Sequence, residues 1–354
     1  MRWALLFAFL FAPSLRADEP IQVFFGPRSA DDQTGLYYNL LRFINSADES
    51  LYAAVHEIDM ITVAEFLARR SKAGVDVQLV VEGEWWTNSK NKAARQVLEK
   101  AGVKVTPDTK KSGLMHNKFF IADKKRVWTG STNITETCLL FNPNNSLWIE
   151  SEPFAENYLA MFKLYQEGKF GKRATMDHVN PHDVVEVGKT KIYTYFSPKD
   201  EPLEAIIQRI NDAKISVDMM SFVFSSRDIG KALEAAHARG VKVRILLDNQ
   251  FSHAGLTRRW PYVPFNELKK LGMMCKYDDE DSKLHHKVIL IDGDITITGS
   301  FNFSTSAVKD NDENLIILES AAINKRYRTE FEKLWNYYSG DPGTPPKLEG
   351  GDDK

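Results

Sequence analysis

The stretch KLHHKVILIDGDITITGSFNF, residues 283–303, joins two histidines, a lysine, an aliphatic run, an aspartate and a small polar turn. A near copy, LMHNKFFIADKKRVWTGSTNI, occupies residues 114–134. The two lie 285 − 116 = 169 residues apart, and at that offset Lys118 matches Lys287 and Asp123 matches Asp292. Gly130-Ser131-x-Asn133 matches Gly299-Ser300-x-Asn302, and Glu150-Ser151 matches Glu319-Ser320. In an extended chain, residues two apart share a face. His116 and Lys118 therefore point together, as do His285 and Lys287. Asp123 and Asp292 fall an odd number of steps away and belong elsewhere or in the turn. His286 takes the slot of Asn117 and points to the opposite face as an ordinary polar contact.

Working outward, the match continues upstream. INSADESLYAAV from Ile44 parallels INDAKISVDMM from Ile210, RSKAGVDVQLVVEG parallels AHARGVKVRILLDN, and QVFFGPR parallels IYTYFSPK. Helices ending at Gly74 and Gly240, each followed by a β-branched strand, are expected. Alternating strands and helices argue for an α/β layer structure. A repeat this long is a duplicated unit and not a solenoid. The reading is a leader at 1–17, a first unit at 18–170, a polar connector at 171–190, a second unit at 191–339 and a disordered tail at 340–354.

The leader follows from Arg2, an apolar run from Trp3 to Pro13, and Ala17 ahead of Asp18-Glu19. The run is too short to span a bilayer, and it fits an export signal cleaved after Ala17. The mature chain is then expected to be periplasmic or secreted, monomeric and without a transmembrane segment. Without residues 1–17 the basic count falls from 46 to 44 against 48 acidic groups, a net charge of −4. There is no overall basic excess to draw in a polyanion. Cys138 and Cys275 form no disulfide framework; either a single pair or two separate apolar residues fits.

A repeated lysine beside a repeated histidine on one face calls for an anion, because buried lysine is rare without one. Zinc fits poorly: lysine sits between the would-be ligands, and there is no C-x-x-C pair. Neither a metal nor a cofactor is expected. If the two units pack face to face about a pseudo-twofold axis, His116, Lys118, His285, Lys287, Ser131, Asn133, Ser300 and Asn302 converge on a pocket for one phosphate. Lysines and amides cover its non-bridging oxygens, one imidazole attacks phosphorus, and the other protonates the leaving oxygen.

With both copies of H-x-K-x-x-x-x-D and of G-S-x-N in view, the chain resembles the phospholipase D superfamily over nearly its whole length. GSFNFSTSAVKDNDEN, from Gly299, is similar to the compact bacterial endonucleases of that superfamily. The resemblance implies two duplicated units, each a mixed sheet flanked by helices, and one central site that cleaves phosphodiesters without metal through a phosphohistidine. It also implies a downstream carboxylate holding the catalytic histidine. Glu313 fits, since 313 − 285 = 28, whereas the same step from His116 reaches Asn144. On this reading Glu313 favours the imidazolium of His285, the acid and base, and Asn144 fixes the tautomer of His116, the nucleophile.

Two substrates stay open. The acidic chain and the apolar segment Leu139–Phe141 favour a phospholipid, with transient membrane-surface contact. The aromatic and arginine loops, EWW at 84–86 and RRWPYVPF at 258–265 with Arg258 and Arg259, favour a nucleic acid. A non-catalytic phosphate-binding module is the third reading, and two complete motif copies argue against it.

Overall fold

The computed structural model describes residues 19–109, 112–171, 180–198, 200–250 and 265–339. The leader, most of RRWPYVPF with Arg258 and Arg259, part of the connector, and the tail lie outside these residues. The first unit runs β1 (Ile21–Gly26), α1 (Leu36–Asn45), β2 (Ser50–Val55), α2 (Ile61–Lys72), β3 (Asp76–Val81), α3 (Gly83–Thr87) and α4 (Lys92–Lys100). It continues β4 (Lys104–Pro107), β5 (Lys118–Ala122), β6 (Arg126–Gly130), α5 (Glu136–Leu140), β7 (Asn144–Glu150) and α6 (Glu152–Gln166). The second runs β8 (Val184–Val187), β9 (Thr190–Ser197), α7 (Pro202–Asp212), β10 (Ser216–Ser221), α8 (Arg227–Ala238), β11 (Lys242–Leu247) and α9 (Phe265–Lys270). It ends β12 (Met274–Tyr277), β13 (Lys287–Ile291), β14 (Ile295–Gly299), α10 (Thr305–Lys309), β15 (Glu313–Glu319) and α11 (Ala321–Tyr337).

The strand orders are β1-β7-β6-β5-β2-β3-β4 and β12-β11-β10-β13-β14-β15-β9-β8. Read from β9, the second order repeats the first strand for strand, with β8 added at the edge. β8 lies in the stretch read as a polar connector. Its V-V-E-V alternation suits an edge strand, and Gly188, at φ +60°, turns it into β9. In both sheets the β2- and β10-type strands pair parallel with their helix-linked successors and antiparallel with β5 or β13. The sheets are therefore mixed.

The aliphatic runs KFFIA and KVILI are buried at every position because both faces of each sheet are covered. Phe120 and Ala122 pack outward with the residues of α1 and α2, and Ile289 and Ile291 do the same with α7 and α8. The alternate residues, Phe119, Ile121, Val288 and Leu290, share one core with α6 and α11. That core spans both units, so the sheets are joined through their inner faces. Replacing Phe119 by Ala would cost about 3–5 kcal/mol and loosen this joint.

The motif aspartates are turn residues. Asp123 and Lys124 have φ of +52° and +57°, and Asp292 and Gly293 have +51° and +93°, as a tight hairpin between right-twisted strands requires. Asp123 accepts the backbone N–H groups of Asp48, Glu49 and Ser50, and Asp292 those of Lys214, Ile215 and Ser216. Burial works against both carboxylates, but these donors outweigh it and hold their pKa values below the usual range. Each aspartate thus ties the hairpin to the start of the central strand beside it. Among the described residues, no helix is long and apolar enough to cross a membrane.

Candidate active site

His116 and His285 lie in extended chain just ahead of β5 and β13, and Lys118 and Lys287 are the first residues of those strands. All four are buried. Each lysine donates to the carbonyl of its own motif histidine, so each histidine–lysine pair is locked into one local unit. The opposite face carries Asn117 and His286, which point across the joint, as their alternation demands. Asn314 donates to Asn117 Oδ1 at 2.9 Å, and Asn145 donates to His286 Nδ1 at 2.9 Å. Thr298 and Tyr327 donate to Asn145 Oδ1, and Thr129 and Tyr158 to Asn314 Oδ1. All of these contacts cross between units, and each has its reciprocal.

The histidine partners cross as well. His116 Nδ1 lies 2.7 Å from Glu313 Oε2, and His285 Nδ1 lies 2.9 Å from Asn144 Oδ1. The sequence reading paired Glu313 with His285 and Asn144 with His116 by counting along one chain segment, and the structure reverses both. The reason lies in the joint. His116 N–H bonds Asp312 O, and His285 N–H bonds Pro143 O, each at 2.9 Å. The residue following each acceptor therefore opens a strand beside the other unit's histidine.

Ser131 and Ser300 were expected on the phosphate, but they are fully buried behind the histidines. Ser131 Oγ donates to Asn144 at 2.9 Å and Ser300 Oγ to Glu313 at 2.7 Å. Their N–H groups bond Asn145 O and Asn314 O, so they orient the acceptors and have no donor left. The preceding glycines permit that approach: a Cβ on Gly130 or Gly299 would come within 2.3 Å of the same carbonyls. Asn133 and Asn302 differ, because their Oδ1 atoms are buried and unpartnered. Asn311, which sequence reading missed, donates to Glu313 Oε1 at 3.2 Å.

Each motif histidine uses Nδ1 on its acceptor, and the Ser131 backbone adds a contact to His285. Burial, then Lys118, pushes His116 well below its usual pKa, and burial, then Lys287, does the same to His285. Burial lowers Lys118 to about 8, while burial pushes Glu313 up to about 7 against the pull of Lys118. Burial and then Lys118 hold Lys287 well below its usual value. Neighbouring cations press on both histidines and on Lys287, and the carboxylates of Glu313, Glu57 and Asp248 offset this only in part. An anion entering the pocket relieves that conflict, and a phosphate diester is such an anion.

Two further residues join the site without any repeat signal. His56 sits after β2 with its ring 4.8 Å from that of His116, and Phe222 after β10 with its ring 4.7 Å from His285. Trp85 stands partly exposed 6.1 Å from His56, whereas Trp86 is buried in the outer core. Of the apolar segment, Leu139 is buried and Phe141 alone is well exposed, at 55%. Cys138 and Cys275 are both buried and unpaired.

Comparison with known proteins gives the family. The family model described as "Cardiolipin synthase, PLD-like domain" matches residues 40–165 and again 206–335. The mitochondrial cardiolipin hydrolase of Xenopus laevis is 32% identical over 145 residues, 41% of this chain and 65% of that protein's length. The phospholipase D of Rickettsia conorii is 34% identical over 149 residues, covering 42% of this chain and 72% of that protein. The crystal structure of Haemophilus influenzae phosphatidylserine synthase superposes with a TM-score of 0.66 at 12% identity, over 90% of this chain and 86% of that one, and so shares the fold. With two copies of the domain on one polypeptide and their histidines meeting at one crossed centre, the chain belongs to the phospholipase D-like family of the cardiolipin synthase type.

Proposed function

We propose that the chain is a phosphodiester hydrolase of the phospholipase D type that acts on glycerophospholipids through a phosphohistidine on His116. The crossed pairing carries this reading. Attack by His116 Nε2 on phosphorus makes that imidazole cationic, and Glu313 stands 2.7 Å from its Nδ1 to stabilise the charge. His285 meets only a neutral amide at Nδ1, with Lys287, Lys118 and Lys283 pressing on it. The anionic diester offsets those cations and lets His285 take up a proton at Nε2, and that setting then favours its loss to the leaving oxygen. Water then attacks phosphorus, His285 takes its proton, and the P–N bond to His116 breaks. The nucleophile assigned from the sequence is retained, on the opposite electrostatic ground.

Lys118, Lys287, Asn133 and Asn302 cover the non-bridging oxygens and supply the charge stabilisation. Both halves of the site come from one chain, which supports a monomer, and the leader-like segment supports export. Relatives named cardiolipin hydrolase and phospholipase D support a lipid substrate. The test is a paired assay on phosphatidylcholine vesicles and single-stranded DNA with EDTA present. Headgroup release from the vesicles is expected. Cleavage of DNA alone would turn the reading to a nuclease, and activity restored only by added metal would end the lysine-based mechanism.

A further inference from the structure

The pair His56–Glu57 occupies the place that Phe222–Val223 holds in the other unit, since 56 + 166 = 222. The backbones match: His56 N–H bonds Asn117 O at 3.0 Å and Phe222 N–H bonds His286 O at 2.9 Å. Both rings press on a motif histidine at nearly equal distance. Their chemistry differs. His56 is 5% exposed, its Nδ1 lies 3.2 Å from Met115 O, and its Nε2 lies 3.4 Å from Glu57 Oε1. Met115 is the residue before His116, so a donor on Nδ1 grips the backbone that carries the nucleophile. Phe222 has no donor. In the second unit the corresponding residue, Leu284, is held instead by its N–H, which Asp248 and Asp278 accept at 3.0 and 3.1 Å.

We propose that His56, oriented by Glu57, is a positioning residue that fixes the ring and backbone of His116 for attack on phosphorus. The claim rests on His116 being the nucleophile. Both ring nitrogens of His56 already face protein acceptors, so it acts through His116 and does not touch the substrate. Its ring stops His116 from turning about its side-chain bonds, and with the hydrogen on Nδ1 it also stops the carbonyl at Met115 from rotating. A reacting atom held to a fraction of an ångström is the condition for a fast first step.

Substitution by Phe, the residue at the matching position, keeps the shape and removes the donor. With a nitrophenyl phosphodiester, His56→Phe is expected to lower kcat by about tenfold or more and leave KM within about twofold, with a slowed nitrophenol burst. The amide nitrogen of Asn reaches where Nδ1 does, so His56→Asn should recover kcat to within about threefold of wild type. Circular dichroism and thermal unfolding check that both variants fold. A His56→Phe enzyme within twofold of wild type overturns the proposal, as does a folded His56→Asn enzyme no better than His56→Phe. Alkaline quench and peptide mapping of wild type separate the two levels: label on His285 instead of His116 defeats the nucleophile assignment beneath the proposal.

Discussion

The two sides of the site share a backbone and differ in charge. Around His116 stand Glu313 and, through His56, Glu57; around His285 stand Asn144 and Phe222. The lysine, the serine behind the acceptor and the cross-unit backbone bond are the same on both sides. What is common builds the frame of the site. In the proposed mechanism, what differs lets one imidazole carry positive charge and the other shed a proton.

The largest effects should come from removing either imidazole. His116→Ala and His285→Ala are each expected to lose about 10⁴-fold or more in kcat, and the double variant should be little worse than either, because groups acting as one unit do not add. A single variant keeping half its activity would mean two separate sites.

Next come the acceptors, which test the crossing directly. Glu313→Gln should cost about 10²- to 10⁴-fold, as loss of a histidine-orienting carboxylate does elsewhere, and should abolish label on His116. Asn144→Ala should cost less, about 10- to 100-fold, and should still form the intermediate from a nitrophenyl diester while hydrolysing it slowly. A double-mutant cycle should couple Glu313 to His116 and leave it nearly independent of His285. Coupling in the opposite sense would restore the pairing counted along the sequence.

The joint should behave symmetrically where the site does not. Asn145→Ala takes one partner from each of Thr298, Tyr327 and His286, and Asn314→Ala takes one from each of Thr129, Tyr158 and Asn117. Each should destabilise by at least about 2 kcal/mol in urea unfolding, since an orphaned buried group costs about 1–3 kcal/mol. A large inequality between the two would show that the halves are held by different forces.

The smallest effects belong to the turn aspartates. Asp123→Ala and Asp292→Ala should each cost about 1–2 kcal/mol of stability while folded enzyme keeps its kcat. A carboxylate whose pKa is depressed on folding stabilises above its unfolded value and loses that stabilisation as pH falls. The gap between mutant and wild type should therefore narrow once the pH drops below the ordinary 3.8. A gap that grew in acid would show that these residues act in some other way.

Residues that repeat were legible: the alternation of strands and helices in each half, the histidine–lysine pairs, and the turn away from their face of the aspartates, Asn117 and His286 all follow from matching positions and period-two geometry. Asn145 and Asn314, with their threonine and tyrosine partners, also repeat at 169, and polar identities inside strands were the available signal for the joint. The crossing of Glu313 and Asn144 was not legible, because distance along a chain says nothing about which of two facing units a strand end approaches. His56 was hidden for the opposite reason, since it has no counterpart histidine and only burial against His116 gives it meaning.

Each histidine takes its Nδ1 partner from the other copy, and this bears on what a single polypeptide permits. In a homodimer of one such unit every substitution is made twice. A change from glutamate to asparagine at the strand end would then strip the carboxylate from both imidazoles at once. Fusion of two copies separates the positions genetically, so one partner can stay acidic while its counterpart becomes neutral. Covalent linkage is a licence for division of labour, and the unequal strand ends Asn144 and Glu313 are where the proposed mechanism uses it.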